Sequence, residues 1–156
     1  MHIELICIGQ KMPDWVNAGY QEYAKRLPQG CSLHLTELAL PKRGKNANIP
    51  QLQREEGESM LAAIPKQAHI VALDERGQAW DTVQLSKQLA QWMQEHGSVA
   101  LLVGGPDGLA ESCLQRAQQR WSLSPLTMPH PLVRIILAEQ LYRAWSLLNN
   151  HPYHRA

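Results

Sequence analysis

Short apolar runs of strand length alternate along this chain with longer stretches of helical period. That alternation limits the fold more than any single motif does. Residues 3–9 (IELICIG), 69–73 (HIVAL) and 98–103 (SVALLV) are compact and apolar, and residues 32–40 set Leu33, Leu35 and Leu38 against His34, Thr36 and Glu37. A run that is apolar at nearly every position is buried on both faces, as a parallel strand is when helices cover both sides of its sheet. Helices are expected between these runs. The first covers residues 14–27, capped by Asp14, with Trp15, Ala18, Tyr20 and Tyr23 at helical spacing and Pro28, Gln29 and Gly30 stopping it. Others cover residues 51–63, stopped at Pro65; residues 81 or 82 to 95, ended by Gly97; residues 110–120; and residues 131–149. Residues 41–50 (PKRGKNANIP) read as a polar basic loop, and residues 121–128 as a strand or a loop. No repeat, low-complexity tract or linker interrupts the chain, so residues 1–156 are expected to form one α/β domain with a mainly parallel sheet.

Composition narrows the function. The hydrophobic fraction of 44% and charged fraction of 19% are those of an ordinary globular protein. A net charge of +1 lacks the basic excess of a protein that grips nucleic acid non-specifically, so an RNA partner would have to be met by local patches or by shape. No apolar run approaches the roughly 20 residues of a membrane span. The start, MHIELICIGQK, has no basic region or cleavage site and reads as a strand rather than a signal peptide. Cys7, Cys31 and Cys113 are odd in number and widely spaced, which suits free thiols in a reducing cytoplasm. No Cys-x-x-Cys pair is present, and no metal is expected.

Ligands of parallel α/β sheets sit beyond the carboxyl ends of the strands. Three such ends are chemically marked here: Leu73-Asp74, Gly104-Gly105-Pro-Asp-Gly108, and the segment after Trp121. The glycine cluster is neither a dinucleotide fingerprint nor a P-loop. It reads either as a tight strand-to-helix turn or as a place where backbone approaches a ligand. Residues 122–131 (SLSPLTMPHP) hold three prolines and three hydroxyl residues, a fixed extended path whose free backbone groups suit a flat heterocycle, or simply a rigid loop. His130 and Pro131 form a helix entry, where a histidine is more often structural than catalytic.

The end of the chain is unusually rich. Val133, Ile136, Leu137, Leu141, Ala144, Trp145 and Leu148 make a wide apolar band, which Leu132 and Ile135 extend around the helix. Such a helix is buried on more than one side: its own sheet supplies one cover, and a second copy in a two-fold homodimer could supply another. Glu139 and Arg143 have the spacing of a modest helix ion pair. The tail His151-Pro-Tyr153-His154-Arg155 reads as a frayed end or as a surface that stacks on bases and contacts phosphates; without nearby carboxylates or thiolates it is a poor metal site. Lys42, Arg43 and Lys45 form a second basic spot where an RNA backbone could be held, although a lone charge cluster is usually solvated surface.

Taken in order, LICIGQKMPDWV, KRGKN, VALDERG, LLVGGPDG, WSLSPLTMPHPLVR and AEQLYRAWSLLNNHPYHRA resemble the SPOUT methyltransferases, and within them the ribosomal RNA large subunit methyltransferase H family. The resemblance covers essentially the whole chain. It implies an α/β-knot fold, whose C-terminal segment threads a trefoil knot that general topology rules would exclude. It further implies S-adenosylmethionine as cofactor, S-adenosylhomocysteine as product, no metal, and a homodimer. The implied reaction is methylation of N3 of pseudouridine 1915 (rRNA convention) in helix 69 of 23S rRNA, on the assembled 70S ribosome. Leu73, Gly104, Leu123, Ser124, Pro125, Leu126, Thr127 and Met128 match the family's cofactor positions, and Tyr153, His154 and Arg155 match the part assigned to substrate and catalysis.

The chemistry then needs removal of the N3 proton, in-line positioning and donors at the flanking carbonyls. His154 is the first expected base and His130 the second. Arg155 is the expected donor or phosphate clamp, and Tyr153 a stacking or orienting group. Two rival readings stay open: a non-catalytic ribosome- or RNA-binding module with a vestigial pocket, and a Rossmann-type nucleotide enzyme. The missing Gly-x-Gly-x-x-Gly speaks against the second.

Overall fold

The computed structural model describes residues 1–154. Its elements run β1 (His2–Ile8), α1 (Asp14–Ala24), a 3-10 turn (Gln29–Cys31), β2 (Ser32–Leu38), α2 (Ile49–Ala63), β3 (His69–Ala79), α3 (Thr82–Glu95), β4 (Ser98–Val103), α4 (Glu111–Arg116), β5 (Gln119–Ser122) and α5 (His130–Leu148). Among the described residues the strands form one sheet in the order β2-β1-β4-β3-β5, and each pairing between neighbours is parallel. The expected α/β class and parallel sheet are therefore what the chain adopts.

Successive strand side chains point to opposite faces, and both faces are packed. Ile3, Leu5 and Cys7 of β1 and Val99, Leu101 and Val103 of β4 join one core with Tyr20 of α1, Leu89 and Trp92 of α3, and Leu137, Leu141 and Ala144 of α5. Ile6 and Ile8 of β1 and Ala100 and Leu102 of β4 join the other with Met60 of α2 and Cys113 of α4. On the first face α5 packs against both α1 and α3. Gly19 of α1 allows the close approach, because a Cβ there would meet the Ile135 side chain at 2.9 Å.

Several boundaries differ from expectation. Asp14 is the first helical residue of α1 rather than its cap, and Pro13 precedes it without a side-chain cap bond. Helix α2 starts earlier, at Ile49, because the Asn48 side chain accepts the Gln51 N–H (3.1 Å) and Pro50 is tolerated in the first turn. Asp81 caps α3, with Gln84 returning the bond (2.8 and 2.9 Å). That helix ends on extended His96, not on a left-handed glycine.

The larger correction concerns β3 and β5. Strand β3 does not stop at Leu73 but runs to Ala79, and its register against β5 jumps between Leu73 and Gln78. Helix α4 is short because residues 119–120, expected in it, belong to β5. Gly77 makes the pairing possible: a Cβ there would lie 2.6 Å from backbone atoms of Arg120.

Candidate active site at the carboxyl edge of the sheet

The strand order places a ligand crevice before any side chain is considered. From β1 the chain leaves toward β2, and from β4 it leaves toward β5, on opposite sides of the adjacent pair β1 and β4. The carboxyl ends of two such strands form the topological switch point, where open parallel sheets bind ligands. Here those ends are Gly9 and Gly104-Gly105.

The glycine loop is tightly built. Gly108 (φ +80°) donates its N–H to the Gly105 carbonyl at 3.0 Å, and a Cβ on Gly104 would sit 2.6 Å from the Gly108 backbone. A Cβ on Gly105 would meet a carboxylate oxygen of Glu56 at 2.9 Å. Glu56 is only 3% exposed, and burial pushes its carboxyl above the usual carboxylate range against the opposing pull of Arg43. Arg43 joins Asp107 at 2.5 Å and approaches Glu56 at 4.0 Å. The basic loop is thereby latched to the glycine loop, with Arg43 paired to Asp107 rather than standing as plain solvated surface.

The proline-rich segment crosses this edge. Residues 123–129 leave β5 at one side of the sheet, and α5 begins near the ends of β4 and β1. The crossing covers roughly three strand spacings, about 14 Å, within the reach of an extended segment of that length. Leu123 packs on the first core, as does Leu73. The Ser124 hydroxyl accepts the Leu126 N–H at 2.9 Å, and Thr127 donates to Glu75 at 3.5 Å. Pro125, Leu126 and Thr127 are exposed, and Leu126 stands out at 76%. The Leu73, Gly104 and 123–128 positions thus lie along one edge.

Where the crossing enters α5, Arg134 is fully buried and binds three partners. Nη1 donates to Glu37 at the end of β2 (2.5 Å), Nη2 to the Gly9 carbonyl (2.8 Å), and Nε to Nε2 of His130 (3.1 Å). Burial first, and Arg134 second, push the His130 imidazole below its usual range. Sequence reasoning missed Arg134. The available signal was an arginine inside the apolar part of α5, four residues after His130.

The tail folds back on α5. The Tyr153 hydroxyl donates to Glu139 at 2.8 Å, and Arg143 donates to the same carboxylate oxygen at 2.5 Å. Its ring lies 4.7 Å from that of Tyr142, with Arg143 at 5.1 Å and Arg26 at 5.8 Å from its centroid. Burial and the Glu139 carboxylate raise the phenol to about 12. His154 is half-buried, and its Nδ1 is buried without a partner among the described residues. Arg155 lies outside the described residues. Glu139 and Arg143, read as a plain helix pair, in fact seat Tyr153. Glu139 is roughly 13 Å along the helix from His130, so the seat of Tyr153 lies apart from the start of α5.

A parallel sheet with a glycine-lined switch point, crossed by a rigid proline-rich segment, defines an α/β protein built to hold a small ligand at that edge. The chain belongs to the SPOUT methyltransferases, and within them to the ribosomal RNA large subunit methyltransferase H family: the family described as "Predicted SPOUT methyltransferase" matches residues 1–154. Similar proteins called "Ribosomal RNA large subunit methyltransferase H" occur in Thioalkalivibrio sulfidiphilus, 59% identical over 99% of both chains, and in Methylococcus capsulatus, 57% identical over 99% of this chain and 100% of that one. Two solved structures share the fold. One, described as a probable methylase family protein from Haemophilus influenzae, is 11% identical with a TM-score of 0.58, over 99% of this chain and 70% of that one. The other, described by "Structural insights into the 2-OH methylation of C/U34 on tRNA", is 21% identical with a TM-score of 0.50, over 96% and 97%.

Proposed function

We propose that this chain transfers the methyl group of S-adenosylmethionine to N3 of pseudouridine 1915 in helix 69 of 23S rRNA, acting as a cytoplasmic homodimer on the assembled 70S ribosome. The observation that carries the reading is the meeting of Gly104, the 123–128 crossing and the start of α5 at the switch point of a SPOUT-family chain. Relatives bearing the ribosomal RNA methyltransferase name at 57–59% identity supply the substrate class.

The edge fits the cofactor. Gly104 has no room for a Cβ because the Gly108 backbone packs against it, which holds the glycine loop close over the strand end. Leu73 and Leu123 offer an apolar wall, and Asp74 keeps one buried carboxylate oxygen without a partner among the described residues, an acceptor suited to a ribose hydroxyl or an ammonium. Leu73, Gly104, Leu123, Ser124, Pro125, Leu126, Thr127 and Met128 would hold it. When bound, the cofactor supplies an electrophilic methyl group on a sulfonium. The crossing of residues 123–129 over the strand ends also supports the C-terminal trefoil knot as part of this reading.

The protein's own task is the nucleophile, since N3 carries a proton. His154 takes that proton, Tyr153 stacks on or orients the base, and Arg155 steadies the carbonyls or a phosphate. The separation of Tyr153 from the glycine loop within one protomer supports the homodimer: a second copy would bring its tail to this edge. The weak net charge supports a structured ribosome over naked RNA, because several contacts across a dimer would replace general attraction.

Calorimetric titration with S-adenosylmethionine is the direct test. Binding is expected; no binding would favour a non-catalytic RNA-binding module. Methylation of 70S ribosomes should far exceed that of an isolated helix 69 hairpin, and equal rates would remove the ribosome from the proposal.

A further inference from the structure

We propose that Arg43 and Gln53 are positioning residues for the cofactor: with the buried Glu56 beneath, they hold the glycine loop, residues 104–109, in its ligand-binding shape. The inference rests on the cofactor reading above and adds to it the residues that set the loop.

A segment carrying Gly104, Gly105 and Gly108 has much backbone freedom to lose on ordering. Its own closure is the bond from the Gly108 N–H to the Gly105 carbonyl at 3.0 Å. Further holds come from a distant part of the chain. Gln53 of α2 donates from Nε2 to the carbonyls of Asp107 (3.0 Å) and Leu109 (3.2 Å). Arg43, from the basic loop, donates from Nη2 to the Asp107 carboxylate at 2.5 Å. Glu56 lies below the loop: a Cβ on Gly105 would meet its Oε1 at 2.9 Å, so residue 105 rests directly on the carboxyl group.

Charge keeps Arg43 in place. Oε2 of Glu56 is buried without a hydrogen-bond partner among the described residues, and the Arg43 guanidinium approaches it to 4.0 Å. Arg43 is thus the cation between two carboxylates, Glu56 almost fully buried and Asp107 partly exposed. Without it the two would repel each other across the glycine loop. Lys42 and Lys45 flank Arg43, so the bond that sets the glycine loop also holds the basic loop beside the cofactor edge.

The test is a double-mutant cycle of Arg43→Gln and Asp107→Asn, with Arg43→Lys and Gln53→Met alongside. S-adenosylmethionine affinity is read by calorimetry, loop order by amide exchange at Gly108, and the KM for 70S ribosomes by methylation at saturating cofactor. Arg43→Gln and Asp107→Asn are each expected to weaken cofactor binding about fivefold, the scale of one partly exposed ion pair. Both should also speed exchange at Gly108. The double variant should bind no more weakly than the worse single one, because the two remove the same bond. Arg43→Lys should recover part of the loss. Gln53→Met should weaken binding through its own bonds, and it decides the matter if Arg43→Gln does not fold. Unchanged cofactor affinity in Arg43→Gln would overturn the inference, as would losses that simply add in the double variant. A raised KM for ribosomes with cofactor affinity intact would also overturn it, since Arg43 would then serve the RNA and not the loop. Failure of the unaltered chain to bind the cofactor would instead strike the parent reading.

Discussion

At the scale of single residues, buried charge decides the most. Arg134 has a side chain 1% exposed, whereas its partner Glu37 is 32% exposed. Removing the two should therefore have unequal effects. Glu37→Ala leaves a buried cation with only neutral acceptors and should cost about 3–5 kcal/mol. Arg134→Met leaves a carboxylate that water can reach and should cost less. Urea unfolding midpoints check the order; a larger loss in Arg134→Met would contradict it. His130 adds a pH dependence. Its folded-state pKa lies below the ordinary 6.5, so the unfolded chain takes up the proton first as pH falls. Stability from this group is present above about pH 6.5 and is lost on acidification toward the depressed folded value. Melting curves between pH 7.5 and 5 should therefore fall less steeply for His130→Asn than for the unaltered chain.

Elements show how far local pattern reaches. Strand β4 covers residues 98–103 as its unbroken apolar run requires, and α3 starts at the Asp81 cap. These were legible because burial on both faces and a capping side chain are written into neighbouring residues. The far half of β3 was not legible. Residues 74–79 (DERGQA) carry no strand pattern, and Gln78 and Ala79 pair only because β5 lies beside them in a shifted register. Gly77→Ala tests this directly. Its Cβ would strike Arg120 backbone, which cannot rotate away as a side chain can. The variant should lose several kcal/mol or lose the β3–β5 pairing, seen as faster amide exchange at residues 78–79 and 119–122. In the same way α4 is cut short because β5 claims the residues that would have extended it. On α5, Leu137 sits fully buried between the sheet and its neighbours, and Leu137→Ala should cost about 2–5 kcal/mol by denaturant unfolding.

For the whole molecule the central fact is the distance between the two halves of the candidate site. The proposed cofactor positions lie at the sheet edge near the start of α5, while Tyr153 is seated further along that helix by Glu139, Arg143 and Arg26. On the proposed function, deleting residues 151–156 should abolish methylation yet spare the proposed dimer and cofactor binding, as read by sedimentation and calorimetry. If tails serve partner pockets, mixing the deletion with a Gly104→Ala chain should restore part of the activity through mixed dimers. Activity no greater than that of either protein alone would place tail and pocket in one protomer.

The sequence by itself determined the α/β class, the parallel sheet, the strand ends at Gly104 and after Trp121 and, through its motifs, the family. Each of these is carried by local period or by contiguous residues. Only the tertiary structure decided the strand order and hence the switch point, the buried Arg134 bracket, the latch between Arg43 and Asp107, and the seating of Tyr153 on Glu139. These depend on residues far apart in the chain, such as Gly9, Glu37 and Arg134, whose value comes from meeting in a buried place. A hydrogen bond to a buried guanidinium leaves no periodic trace in a sequence, because its partners are chosen by packing and not by spacing.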